Sequence, residues 1–140
     1  PPVIRRDRMI IYVQTDQRTQ MKDITDKVKD NLKSLGEKNG LVHIFSMHTT
    51  AAVTINENAD PDVAGDINRA IDRLVPFEAD YRHMEGNSAA HIKTSLFGQS
   101  ETVVLKDGQL VLGTWQGIYF CEFDGPRSRK VHLKVIPDKS

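Results

Sequence analysis

Apolar residues recur along the chain in two rhythms, and each rhythm marks out elements. In Thr25–Leu35, the residues Val28, Leu32 and Leu35 line up with Ile24 at spacings of four, four and three. That stripe predicts an amphipathic helix. Asp23 or Thr25 is available to cap its start, and Gly36 suits the left-handed position past its end. Pro61–Val75 repeats the rhythm, with Val63, Ile67, Ala70, Ile71 and Leu74 as the face expected to be buried. Asp60 is its natural N-cap, Pro61 fits the first helical position, and Pro76 stops it.

A period of two governs most of the rest. Met9–Thr15, Leu41–Met47, Thr50–Asn56, His91–Phe97, Glu101–Leu105, Gln109–Gly113, Gly117–Phe123 and Lys130–Ile136 read as strands. Asp107-Gly108 predicts a tight hairpin turn, because both positions tolerate positive φ. Asp124-Gly125-Pro126 marks a second turn, and Phe77–Ala90 reads as a long connection. Two helices among mostly hairpin-linked strands predict an α+β fold, its largely antiparallel sheet curled into a sandwich or barrel.

The totals narrow the function. The chain has 140 residues, and residues 1–140 read as one domain with a core of its own. Lys+Arg and Asp+Glu balance at 19 each, with no basic excess to track along a nucleic acid. Arg127–Lys130 is the one basic cluster, enough for a small anion. No leader-like segment opens the chain and no apolar run approaches a membrane span. Cys121 stands alone in an apolar alternation, which points to a buried, inert thiol and a reducing, cytoplasmic setting.

Three stretches hold polar groups that surface chemistry explains poorly. In HTTAAVTINENADPD, His48 stands at a strand entrance and Asn56 and Glu57 at its exit, a common place for site residues. In YRHMEGNSAAHIKTSLFGQS, His83 and His91 lie eight residues apart across a loop-like connection. That is not a tight metal-pair spacing. Read as a strand, His91, Lys93 and Ser95 share one face, lining either a cleft or solvent. In LGTWQGIYFCEFDGPRSRKV, Trp115 suits a core or an interface, and Thr114 and Gln116 flank it within reach of a ligand. Glu122 alternates outward, opposite Tyr119 and Cys121. Arg127 and Arg129 form a pair able to grip a phosphate, or a solvated turn. His43 reads as an interior residue and His132 as solvent-facing.

Three blocks, HTTAAVTINENADPDV, AHIKTSLFGQS and LGTWQGIYFCEFDGPRSR, resemble the signature blocks of the YjbQ family, whose members often carry the label secondary thiamine-phosphate synthase. The resemblance runs over nearly the whole chain. It implies a jelly-roll-like sandwich with two helices, assembled as a homotrimer with polar clefts near the subunit boundaries. The family's motif histidines fall on His48, His83 and His91, its acidic and amide positions on Asn56, Glu57, Asp60 and Asn87. The remaining motif elements fall on Gly113–Gln116 and Asp124–Arg129.

As an enzyme resembling thiamine-phosphate synthase, the chain would join a pyrimidine diphosphate to a thiazole phosphate and release pyrophosphate. Lys93, Arg127 and Arg129 would hold the leaving diphosphate, Asn56, Asn87, Thr114 and Gln116 the substrate, and Glu57 or Asp60 a Mg²⁺ ion. His83 or His91 would act as acid. Two alternatives stay open. One is a metal-dependent hydrolase or lyase with His48, His83 and His91 around zinc and Glu57 as base. The other is a trimeric metabolite-binding module without turnover.

Overall fold

The computed structural model describes residues 8–139. The elements run β1 (Arg8–Gln14), β2 (Gln20–Asp23), α1 (Thr25–Leu35), β3 (Gly40–Ser46), β4 (Ala51–Glu57), α2 (Pro61–Leu74), α3 (Ser88–Phe97), β5 (Ser100–Lys106), β6 (Gln109–Leu110), β7 (Gln116–Glu122) and β8 (Ser128–Pro137). They build an α+β sandwich. A five-stranded sheet, ordered β1-β8-β3-β5-β6, faces a three-stranded sheet, ordered β2-β7-β4. Every described strand pair is antiparallel.

Alternation decides what fills the space between the sheets. Ile11 and Val13 of β1, Val42 and Ile44 of β3, Val103 and Leu105 of β5, and Val131, Leu133 and Val135 of β8 all point inward. They meet Ala51 and Val53 of β4 and Ile118 and Phe120 of β7. The α1 stripe of Val28, Leu32 and Leu35 joins this core with Ile24. Ile24 occupies the N-cap position of α1 without a side-chain cap; Asp23, just before it, accepts from Thr25 N at 2.9 Å, and Gly36 closes the helix at φ 77°. The other face of the three-stranded sheet is covered too. Ala52, Tyr119, Cys121 and Phe123 pack there with Ala90 and Phe97 of α3 and Ala64 of α2. Burial pushes the Cys121 thiol far above its ordinary pKa, so it stays protonated and inert. The Asp107-Gly108 turn takes φ values of 51° and 77°, the two positive angles expected of it.

Four expectations need correcting. His91–Phe97 is not a strand; Ser88–Phe97 is a helix, which makes three helices in the described residues. Its buried positions, Ala89, Ala90, Lys93 and Thr94, follow a helical period. Small and polar residues fill them, so no stripe of large apolar residues marks the helix. The α2 stripe is only half-buried, with Leu74 exposed, because α2 packs along the β2 side of the thin sheet. His43 lies on the outer face of the five-stranded sheet, half-buried, with Nδ1 3.3 Å from Thr102 Oγ1. It alternates with the inward Val42 and Ile44, and His132 of β8 is half-buried on that outer face too. Trp115 is 62% exposed on the β6–β7 connection, which overturns the core half of its reading and leaves the interface half standing.

No helix of the described residues is long and apolar enough to cross a membrane.

Candidate functional site

The inward rows of the sandwich turn polar at one end. Val13 is followed by Thr15, Ile44 by Ser46 and Phe120 by Glu122, while Arg129 precedes Val131. Glu122 therefore faces inward with Ile118 and Phe120, not outward as expected, and is 0% exposed; Arg129 is 5% exposed. Arg129 Nε donates to Glu122 Oε1 at 2.8 Å and Nη2 pairs with Oε2. The same Nη2 donates to Thr50 Oγ1 at 2.9 Å. Thr15 Oγ1 donates to Glu122 Oε1 at 2.7 Å, and Asp124 N to Oε2 at 3.0 Å. Burial pushes the Glu122 carboxyl up, but bonds from Arg129, Thr15 and Asp124 outweigh it and hold its pKa below the usual range. The guanidinium of Arg129, expected to grip a phosphate, is thus engaged within its own chain. His48 borders this knot. Its Nε2 accepts from Lys130 N at 2.9 Å, and burial together with the Arg129 charge lowers its pKa.

The candidate pocket forms beside this knot, at the start of α3. Asn87 Nδ2 donates to Asp124 Oδ2 at 3.0 Å, and Arg127 Nη2 donates to the same oxygen at 3.1 Å. This tie fastens the connection before α3 to the turn after β7. It sets His83 against His91, with ring centroids 5.3 Å apart and planes at 89°. Both line an open pocket of about 530 Å³ with Asp80, Tyr81, Arg82, Ser88 and Ile92. Asn87 Oδ1 is buried and has no hydrogen-bond partner among the described residues. Two imidazoles, a guanidinium, a phenol and a hydroxyl around one concavity can hold a small anion and move a proton. Lys93, which a strand would have set beside His91, lies on the other side of α3. It is 4% exposed and paired with Asp72.

The remaining predicted residues gather at the far end of β7. Glu57 pairs with Gln116, and Asn56 with Gly117, across the β4–β7 ladder. Asn56 Oδ1 accepts from Glu57 N at 2.7 Å, and Gln116 Oε1 accepts from Gly113 N at 2.8 Å. Thr114 is exposed. The Glu57 carboxylate makes no ion pair among the described residues. Asp60 caps α2, its Oδ1 accepting from Asp62 N at 2.9 Å. Since β7 spans Gln116–Glu122, this group sits about 20 Å along the strand from the knot. Among the described residues no three His, Cys, Asp or Glu side chains converge as a metal site. His48, the His83–His91 pair and Asp60 lie in three places, so within one chain the expected metal donors do not fit a metal.

Tyr81, Arg82 and Ser88 are pocket residues that motif spacing passed over. Reading Asn87-Ser88 as a helix start would have found Ser88, because it puts Ser88, His91 and Ile92 on one face; no local pattern marks Tyr81 and Arg82, which lie in the connection before it.

The comparisons agree over the whole fold. The family model described as UPF0047 protein YjbQ-like matches residues 9–138. The chain is 50% identical over 127 residues to the UPF0047 protein YugU of Bacillus subtilis, covering 90% of this chain and 96% of YugU. It is 48% identical over 127 residues to a UPF0047 protein of Methanocaldococcus jannaschii, covering 91% and 92%. The crystal structure of an uncharacterized conserved protein of the YjbQ/UPF0047 family from Clostridium acetobutylicum is similar at 51% identity and a TM-score of 0.89, covering 91% of this chain and 99% of that one. A YbjQ-like protein of unknown function from Sulfolobus solfataricus is similar at 32% identity and a TM-score of 0.89, covering 94% and 96%.

Proposed function

The chain belongs to the UPF0047 YjbQ-like family, and on that premise we propose that it is one subunit of a homotrimeric enzyme acting on a small phosphorylated substrate at the His83–His91 pocket. The observation that carries this reading is the meeting of two imidazoles, distant in sequence, at 5.3 Å beside an open pocket. Arg82 and the exposed edge of Arg127 hold the phosphate. A protonated imidazole gives its proton to the departing phosphate oxygen, and Asn87, through its bond to Asp124, positions the connection that carries His83.

The specific reaction we propose joins a pyrimidine diphosphate to a thiazole phosphate. The thiazole nitrogen attacks the methylene carbon. A C–N bond forms as the C–O bond breaks, and pyrophosphate leaves with the electron pair. Asn56, Glu57, Thr114 and Gln116 stand at the other end of β7, so they reach this pocket only from a neighbouring subunit. An apolar outer sheet face favours such an assembly: Tyr12, Phe45, Leu41, Val104 and Ile136 are exposed there, with Leu41 opposite both Val104 and Ile136.

Purified protein given both substrates and Mg²⁺ is expected to form thiamine phosphate, with His91→Ala slower by about a hundredfold or more. A rate no higher than that of a mock preparation overturns this reaction. Phosphate release from other phosphorylated metabolites, lost in His91→Ala, would keep the enzyme class and change the substrate. No step here runs through a metal. Zinc or magnesium bound near one per chain in the assembled protein would turn the reading towards a metal-dependent hydrolase or lyase. Tight binding of a phosphorylated metabolite without turnover would make the chain a binding module.

A further inference from the structure

Helix α3 separates two pockets. Ser88, His91 and Ile92 face the first. Ala89, Ala90 and Lys93 face a second, of about 270 Å³, on the other side, as 3.6 residues per turn requires. Nothing in the proposed reaction uses the second pocket. Its walls are mixed: Phe77, Phe123 and the two alanines are apolar, and Arg18, Thr19, Asp72 and Lys93 are polar. Its charges are placed unusually. The Lys93 side chain is only 5% exposed, and its one ion-pair partner, Asp72, is 55% exposed. The Lys93 ammonium lies 5.7 Å from the centre of the Phe123 ring. At the other wall the Arg18 guanidinium carbon sits 4.2 Å over the Phe77 ring. Arg18 makes no ion pair among the described residues. Two cations against one carboxylate leave the exposed Arg18 charge without an ion pair at the rim of the pocket.

A buried ammonium answered by a single, half-exposed carboxylate has donor capacity left over. A guanidinium stacked on an aromatic ring keeps its N–H edge free for an anion. We propose that this pocket is a second ligand site, for a small organic acid with an anionic head on an apolar or aromatic body. The head lies between Lys93 Nζ and Arg18, and the body lies against Phe77 and Phe123. A volume of about 270 Å³ falls at the small end of ligand pockets, so the ligand is no larger than a single ring with its acid group. The proposal concerns binding alone and is independent of the reading of the His83–His91 pocket.

The test titrates the assembled protein separately with benzoate and with phenyl phosphate, read by calorimetry and by NMR signals of the residue 89, 90, 93 and 123 amides. At least one probe is expected to move these signals saturably. Arg18→Ala and Lys93→Met should each weaken that binding about tenfold or more, as loss of a charged hydrogen-bond donor does. Asp72→Asn should tighten it, since the ammonium no longer shares itself with a carboxylate. A structural role for the Lys93–Asp72 pair would not produce that gain. Should Lys93→Met fail to fold, Arg18→Ala decides, because Arg18 is exposed. A stronger response to benzoate assigns a carboxylate head, and a stronger response to phenyl phosphate assigns a phosphate. No saturable movement with either probe, movement untouched by Arg18→Ala, or weaker binding in Asp72→Asn would each overturn the proposal.

Discussion

Glu122–Arg129 and His83–His91 lie at the same end of the sandwich, joined through Asp124, yet their surroundings are opposites. Both Glu122 oxygens accept hydrogen bonds, from Arg129, Thr15 and Asp124 N, and the pair is almost wholly buried. The imidazoles meet edge to face at the mouth of an open pocket, beside an Asn87 oxygen with no partner. A dense polar motif is therefore not by itself a site. Where every donor and acceptor is already answered, the residues hold the fold; where some are left over, a ligand has something to bind.

The largest effect expected comes from breaking the closed pair. Glu122→Ala leaves the Arg129 charge buried and unanswered, and should cost about 3–5 kcal/mol, read as a fall in Cm at constant m-value. A loss below about 1 kcal/mol would break the contrast, since a pair so cheaply removed is not structural.

Acid should act on the same end. The folded Glu122 pKa is lowered, so its stabilisation is fully present above the ordinary carboxylate value of about 4.3 and is lost as pH falls through that value and below. The His48 pKa is also lowered, so the fold favours the neutral ring, and its share starts to fade below about pH 6.5. Unfolding midpoints measured from pH 7 to pH 3 should fall in two stages. The upper stage should vanish in His48→Gln. A stability flat with pH across both windows would contradict this reading.

Asn87→Ala removes the link between the two regions and should cost about 1 kcal/mol. Its diagnostic is separate: the NMR signals of the His83 ring should shift while those of Arg129 hold. Movement of both would mean that the regions are one unit. Least of all, His91→Ala should change stability by within about 0.5 kcal/mol, as at a position outside the core, while abolishing the proposed turnover.

Most of the architecture was legible because period and burial agree. Thr25–Leu35 is a helix as its stripe says, and Asp60 caps α2. Two failures share a cause. α3 hid because Ala, Lys and Thr line its buried face. Glu122 was read as outward because a strand with one wet face alternates; β7 instead lies between the core and the α2–α3 layer, so both its faces are covered. The motifs picked out candidate residues, but not their division between the two ends of β7, since alternation fixes a face and never a distance to another element. Nor does spacing reveal that Lys93 and Arg129 already have partners.

The Glu122–Arg129 contact also works as an alignment key for the sheets. If β8 slid one residue along β1 and β3, Lys130 or Ser128 would enter the Arg129 position and the Val131–Val135 row would turn outward. Glu122 is fixed on the opposite sheet by β4 and β2; a slip that brings in Ser128 would leave its charge unmatched, and either slip would drive His132 and Lys134 into the apolar core. Misaligned arrangements carry that penalty in addition to their lost hydrophobic contacts, so the chain is confined to one pairing even though valine and isoleucine would pack tolerably in several.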